Sequence, residues 1–369
     1  MAPNNALRDK SAEEKEGLQA KASGESWGMV SAAEVRARGT GTTASPIDEF
    51  VAAENSELRC FFTGMMFVTR LPCPGWCDHH PGYLMRAMAW FPALGALIGL
   101  WVAAFADAAA TLVQPPVAAA FSTGASLWLT GCFHEDGLGD TLDGFGGGWS
   151  KAQILRIMKD SRIGTYACVG LCLYTVSKVL LLGELGPSTW ALGACSGQGP
   201  ALVVAHAVAR ASSAPLLYCV EYVVDADDAK SDYYGWFGRS RELLTLPRLL
   251  FALSTAVGVA LAVLGPCARA AAVLLGAACA TAVAGAYGRS VIGGVMGDFL
   301  GATVCSIELA IYAALTVDSR RLFEAAAERG WMSALRPFVM LALALCTPRL
   351  WTLGANRATK PGKAEAKEC

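Results

Sequence analysis

Polar and apolar positions divide this chain unevenly. Residues 1–57 are polar, while long stretches after residue 88 carry almost no charge. Six apolar runs, 94–113, 117–133, 166–185, 249–264, 270–287 and 299–317, are each about long enough to cross a bilayer, which takes ~20 residues of helix. Two further runs, 191–209 and 338–346, are ambiguous: short spans, re-entrant pieces or buried helices would all produce them. The pattern predicts an all-α fold, a polytopic integral membrane bundle of six to eight transmembrane helices. A soluble reading would require this many long spans to bury one another.

Composition agrees. The chain is 54% hydrophobic and 17% charged, against roughly a quarter charged in soluble domains. A net charge of −1 gives no electrostatic reason to expect nucleic acid. The thirteen cysteines are scattered, mostly singly inside apolar runs such as those holding Cys168, Cys172, Cys279 and Cys305, where Cys acts as a small hydrophobe. The stretch Cys73-Pro74-Gly75-Trp76-Cys77-Asp78-His79-His80 offers zinc-type residues without zinc-type spacing, and reads as a solvated loop. Three regions follow. Residues 1–57, with ten acidic and six basic side chains, read as a disordered tail; they are too acidic for a typical transit peptide. Residues 58–317 hold the membrane domain. Residues 318–369 add one apolar run and a basic end at Lys360, Lys363 and Lys367.

The chemistry concentrates in one stretch, Phe133-His134-Glu135-Asp136-Gly137-Leu138-Gly139-Asp140-Thr141-Leu142-Asp143-Gly144. Asp136, Asp140 and Asp143 are spaced i, i+4, i+7, so on a helix they share one face. Carboxylates that close repel one another unless something positive intervenes. A hard divalent cation is the simplest candidate, and such ions commonly hold a substrate phosphate as well. Gly146, Gly147 and Gly148 follow directly, and backbone amides of a glycine run can receive phosphate oxygens, although loops carry such runs routinely. Arg162 can grip phosphate as a fork. Lys178 lies inside an apolar span, where charge is costly and usually functional; snorkelling to the interface is the bland reading. Asp298, at the entrance to the last span, is either a site acid or a helix cap. His134 reads equally as a base, a ligand-orienting group or a hydrogen-bonded structural residue. A solvated acidic loop beside a span is the bland reading of the whole cluster. The sharper one is a membrane-embedded, metal-dependent site that handles phosphate, where charge neutralisation and positioning do most of the work.

The segment GCFHEDGLGDTLDG, Gly131 to Gly144, resembles the signature of the cobalamin synthase family, adenosylcobinamide-GDP ribazoletransferases. Further matches run in order: Thr69-Arg70-Leu71-Pro72; Phe91-Pro92 with Gly95 and Gly99; Met158-Lys159-Asp160-Ser161-Arg162-Ile163-Gly164-Thr165; Lys178; Arg210; and Gly297-Asp298-Phe299-Leu300-Gly301-Ala302 with Glu308 beyond it. Together they cover about residues 58–317. The resemblance implies a transferase of cobalamin biosynthesis or salvage. A ribose hydroxyl of alpha-ribazole, or of its 5'-phosphate, attacks the corrinoid-linked phosphate of adenosylcobinamide-GDP, with Mg2+ required (Mn2+ as a substitute) and GMP leaving. It implies Asp136, Asp140, Asp143 and Glu135 as the metal set. Asp143 is the first choice as base, beside His134, Arg162 and Lys178 as catalytic groups. Gly146, Gly147, Asp160, Ser161, Arg210 and Asp298 fall to substrate. The lipid bilayer and the two substrates are the expected partners; association with other corrinoid enzymes is also allowed. A bacterial-type inner membrane and an organelle membrane both suit the chain.

Two departures stand out. The loop 221–232 is acidic (Asp225, Asp227, Asp228) where relatives tend to carry an arginine and glycines, and Cys305 replaces an acid often found there. Two rival functions predict other patterns. A CDP-alcohol phosphotransferase would carry an Ala-Arg pair shortly after its first Asp-Gly, and none follows Gly137. A transporter with a buried acidic site would spread charges over separate spans near the midplane and show inverted repeats, and no repeat is evident.

Overall fold

The computed structural model describes residues 56–77, 80–223 and 236–317, together with Phe50 and Glu328. Most of the expected N-terminal tail, the centre of the acidic loop, the run 338–346 and the basic end lie outside these residues. The chain divides into two units, Met1–Thr316 and Val317–Cys369. Only the first is described at length.

Among the described residues there are helices, two isolated β-bridges and no strand. A short helix α1 (Glu57–Val68) leads in; the Ser56 hydroxyl caps it by accepting the Arg59 amide. Helix α2 (Pro81–Ala87) continues through a 3-10 turn into α3 (Phe91–Ala110). Then come α4 (Pro115–Thr130), α5 (Phe133–Gly147), the amphipathic α6 (Lys151–Met158) and α7 (Thr165–Leu185). Helix α8 (Gln198–Arg210) runs on into α9 (Ser213–Cys219). A single turn α10 (Ser240–Leu243) precedes α11 (Leu246–Leu264), α12 (Ala268–Val291) and α13 (Gly297–Thr316).

Six of these segments are long and apolar enough to cross a membrane: Pro81–Ala110, Thr165–Leu185, Gln198–Cys219, Leu246–Leu264, Ala268–Val291 and Gly297–Thr316. The protein is a multi-pass membrane protein. The set differs from the apolar runs in two places. The run 117–133 gives a helix of only 16 residues, α4, ~24 Å at ~1.5 Å per residue against a core of ~30 Å, although it carries the chain from the Pro115 end of the bundle to the α5 end. It stops where Gly131 and Cys132 both take the left-handed conformation (φ 64° and 58°), and this turn redirects the chain into α5. The ambiguous run 191–209 supplies the central helix instead. Every residue from Gln198 to Arg210 is buried, so α8 meets protein on all sides. Helices α7, α11 and α12 expose apolar side chains such as Leu173, Leu180, Leu250, Leu275 and Val283, as a lipid-facing ring must. The first span also begins earlier than charge suggests: Arg86, which precedes the apolar run, is buried within the helix at 2% exposure with its guanidinium 4.6 Å from the centre of the Phe50 ring.

Small residues bring α3 against α8. A Cβ on Gly99 would stand 2.6 Å from Val203 Cα, and one on Gly95 would collide with the His206 carbonyl. The four-residue spacing of these glycines permits this approach.

The two ends of the bundle differ in charge. At one end α5 starts beside the entrance to α13, Lys151 lies near Gly293, and Arg289 donates to the Cys219 carbonyl at 2.6 Å. At the other, Gln198 Nε2 donates to the Pro115 carbonyl (2.8 Å) and Trp190 Nε1 to Asp107 (2.8 Å). Arg70, Lys151, Arg156, Lys159, Arg241 and Arg289 are exposed at the first end; among the described residues the second end has only Arg269. If the host is a bacterial-type membrane, where basic flanks are retained on the cytoplasmic side, the α5 end is expected to face the cytoplasm. With Cys219 or Cys267 (both exposed free thiols) as sole cysteine, an impermeant maleimide should label Cys219 from the cytoplasmic face and Cys267 from the opposite one; reversed labelling overturns the orientation. Gly99→Ala should cost about 1–3 kcal/mol through overpacking, read as a lowered melting temperature. Gly124→Ala, with nothing within 4 Å of its Cβ, should leave that temperature unchanged.

Candidate functional site

The acid stretch is helical despite its glycines. Its helix α5 crosses α13 closely: a Cβ on Gly137 would stand 2.7 Å from the Asp298 carbonyl oxygen, and one on Gly301 3.2 Å from the His134 carbonyl oxygen. Phe145 stacks on Phe299 (centroids 5.5 Å apart, planes at 12°) and Leu138 packs with Tyr174, Ala302 and Cys305. Cys305 is fully buried there as a small apolar side chain. The crossing puts Asp298 beside the acids of α5. Asp136 is exposed, and Asp140 and Asp298 are half-buried.

The electrostatics show how tightly these carboxylates crowd. Burial, then Asp298, Asp136 and Asp143, push the Asp140 carboxyl up to about 6 from its ordinary 3.8. Among the described residues no three His, Cys, Asp or Glu side chains close around a metal position. The donors are all carboxylate oxygens, and the cluster is open on one side. That suits a hard cation completing its shell with water and substrate oxygens.

The other expected site residues are distributed differently. Both oxygens of Asp143 are engaged: Oδ2 accepts the Gly164 amide at 2.6 Å and Oδ1 the Ala167 amide at 2.9 Å. Gly164, the N-cap of α7, has no side chain to offer, so α5 supplies the missing cap. Gly146 and Gly147 close the last turn of α5, so their amides point along that helix toward its preceding turn. Asp160 accepts Arg162 Nε at 2.9 Å and Nη2 at 2.6 Å, as well as the Arg162 amide at 3.1 Å. These bonds hold the Asp160 carboxyl down at about 2. The pair is exposed, as is Ser161.

His134, Glu135, Lys178 and Arg210 turn the other way. All four side chains reach the protein interior, where Lys178 Nζ lies 2.7 Å from Glu308 Oε1 at 0% and 3% exposure of the two residues. Tyr312 donates to the same oxygen at 2.8 Å, and Arg210 Nη1 lies 2.7 Å from His206 Nδ1. Burial, with Arg210 next, lowers the pKa of His134 well below its ordinary value, so the ring is neutral at pH 7. Burial pushes the Glu135 carboxyl up, opposed by Lys178. Sequence reasoning missed His206 and Tyr312 and gave Glu308 no role. The signal was available, since a charged or imidazole side chain inside an apolar span demands a partner.

A profile of the cobalamin-5-phosphate synthase family matches residues 60–316. The chain belongs to this family. Similar proteins include the adenosylcobinamide-GDP ribazoletransferase of Shewanella halifaxensis, 37% identical over 266 residues, covering 71% of this chain and 96% of that protein. The enzyme of the same name from Leptothrix cholodnii is 36% identical over 265 residues, with 71% and 96% covered. That of Shewanella frigidimarina is 36% identical over 257 residues, with 69% and 93% covered. No solved structure matches the chain. The matched region of this cobalamin-5-phosphate synthase family member takes in the acid helix, the Asp160–Arg162 turn, the buried network and the Asp298 entrance.

The crowding at Asp140 sets a pH dependence. The folded protein binds this proton more tightly than the unfolded chain does, with a pKa of about 6 against 3.8. In metal-free protein its contribution therefore weakens stability as pH rises from about 4 to about 6, and is flat above. Melting curves in EDTA should show Asp140→Asn gaining on the wild type across that window. Parallel pH profiles for the two proteins would remove Asp140 as the titrating group.

Proposed function

We propose that this protein joins the nucleotide loop of a B12-type corrinoid: it transfers the adenosylcobinamide-phosphate group of adenosylcobinamide-GDP to alpha-ribazole or its 5'-phosphate. Membership of the cobalamin-5-phosphate synthase family supports the reading, as do the names of the similar enzymes. The observation that carries it in the structure is the convergence of Asp136, Asp140 and Asp298 at an open, basic-flanked end of the bundle.

In this reading Asp136, Asp140 and Asp298 hold Mg2+, or Mn2+ in its place. When bound, the ion neutralises the diphosphate and the charge that grows on the leaving group. The acceptor hydroxyl oxygen forms a bond to the corrinoid-linked phosphorus while the bond from that phosphorus to the bridging oxygen breaks, and GMP departs with that oxygen. The hydroxyl proton passes to a carboxylate. With both Asp143 oxygens engaged by amides, that task falls within Asp136, Asp140 and Asp298. Asp143 then serves by fixing α7 to α5. Arg162 uses Nε and Nη2 on Asp160, which leaves Nη1 for a phosphate oxygen.

One observation favours a different class. Charged side chains on three separate spans, Lys178, Arg210 and Glu308, are what an ion path would display. Purified protein in liposomes separates the two. Supplied with both substrates and Mg2+, it should release GMP, and Asp140→Asn should reduce release at least about a hundredfold, the scale of a lost charge contact in a sheltered site. Undiminished release from the variant would remove Asp140 from the site. Ion-driven uptake without GMP release would support transport instead.

A further inference from the structure

Behind the acid helix, α7, α8 and α13 bury a network whose protonation follows from geometry. Arg210 Nη1 can only donate, so His206 Nδ1, 2.7 Å away, accepts. Arg210 Nη1 also donates to the His206 carbonyl at 3.2 Å. The histidine hydrogen therefore sits on Nε2, which faces Ser126 Oγ at 3.4 Å and Glu308 Oε1 at 3.6 Å. The ring is neutral. That leaves two cations, Lys178 and Arg210, and one anion, Glu308, which gathers Lys178 and the Tyr312 hydroxyl on a single oxygen.

A second carboxyl borders the set. Glu135 is in the first turn of α5, its Oε2 is buried without a hydrogen-bond partner, and Lys178 and Arg210 are among its charged neighbours. Adjacent residues on a helix point about 100° apart. Glu135 turns inward to this network while Asp136, next to it, is exposed on the open side.

We propose that Glu308 is a positioning residue: by holding Lys178 beneath the first turn of α5 it supplies the counter-charge for Glu135, and so fixes where Asp136 stands in the acid cluster. The proposal deepens the metal-dependent function proposed for the acid cluster and rests on it. Lys178, although inside a span, then acts on the site through Glu135.

The test uses full-length protein, Mn2+ as probe and three measurements: melting temperature, Mn2+ affinity of the substrate-free protein by electron paramagnetic resonance, and kcat for GMP release. In Lys178→Met/Glu308→Leu both members of the buried ion pair are replaced by apolar side chains, which avoids a lone charge from that pair and is often close to neutral for stability; Glu135 and the Tyr312 hydroxyl lose their partner. The expected result is melting within a few degrees of wild type, with Mn2+ affinity and kcat each lowered about 10–100-fold, the usual effect of losing an outer-shell partner. Wild-type-like melting with both values within twofold of wild type overturns the proposal. Should the double variant fail to fold, Tyr312→Phe, which removes one hydroxyl from Glu308, takes its place. A three- to tenfold loss of Mn2+ affinity supports the proposal and an unchanged affinity overturns it. Wild type that binds Mn2+ but releases no GMP would sink the transferase reading alone, leaving Glu308 to be judged on affinity. Wild type without Mn2+ affinity would sink both.

Discussion

Like-charged carboxylates have to be held together at the edge of an apolar bundle, and the close crossing of α5 over α13 does this. Gly137 and Gly301 remove the side chains that would keep the two helices apart, and the Phe145–Phe299 stack locks them a few turns further on. The cost of crowding is visible on Asp140. The crossing is strong enough to bear it because it is apolar contact, which like-charge repulsion across a half-hydrated cluster does not outweigh.

The rest of the bundle orients this crossing. Helix α8 is buried throughout and lies against α3 through Gly95 and Gly99. It carries His206 and Arg210 to the level where Lys178 and Glu308 meet. Asp143 ties α5 to the start of α7. The acid helix is thus held from two sides by two different interactions: packing to α13 and a donated cap to α7. Neither of them occupies the open face.

Much of this was legible in the sequence. The number of spans, the helical phase of Asp136 and Asp140 and the close approach at Gly95 and Gly99 follow from spacing and from the motif resemblance; Asp298, assigned to substrate, meets the acids only through the α5–α13 crossing. Span limits were less legible. A run of apolar residues does not reveal that Gly131 and Cys132 turn left-handed, nor that 191–209 is central and not peripheral. The fates of Asp143 and Glu135 were hidden for a different reason. Spacing places three carboxylates on one helix face, but which of them meets an uncapped helix start depends on where α7 begins in space. Residue type alone does not separate Glu135, turned toward Lys178, from Asp136, turned toward water.

Sign pattern explains why the two charged regions coexist on neighbouring residues of one helix. In the bundle interior the dielectric is low, and a set of charges survives there only if it is mixed in sign and nearly neutral. With Glu135 as the proposed second anion, Lys178, Arg210 and Glu308 meet that condition, His206 and His134 being neutral. The open cluster of Asp136, Asp140 and Asp298 does not; it is single in sign, and persists because water can reach it, as can a cation with a phosphate under the proposed function. The same condition separates the acids of the motif by role. Under the proposed function Glu135 belongs to the interior set, while Asp136 and Asp140 face a cation that relieves their repulsion. The boundary between the two regimes runs through the peptide that joins Glu135 to Asp136.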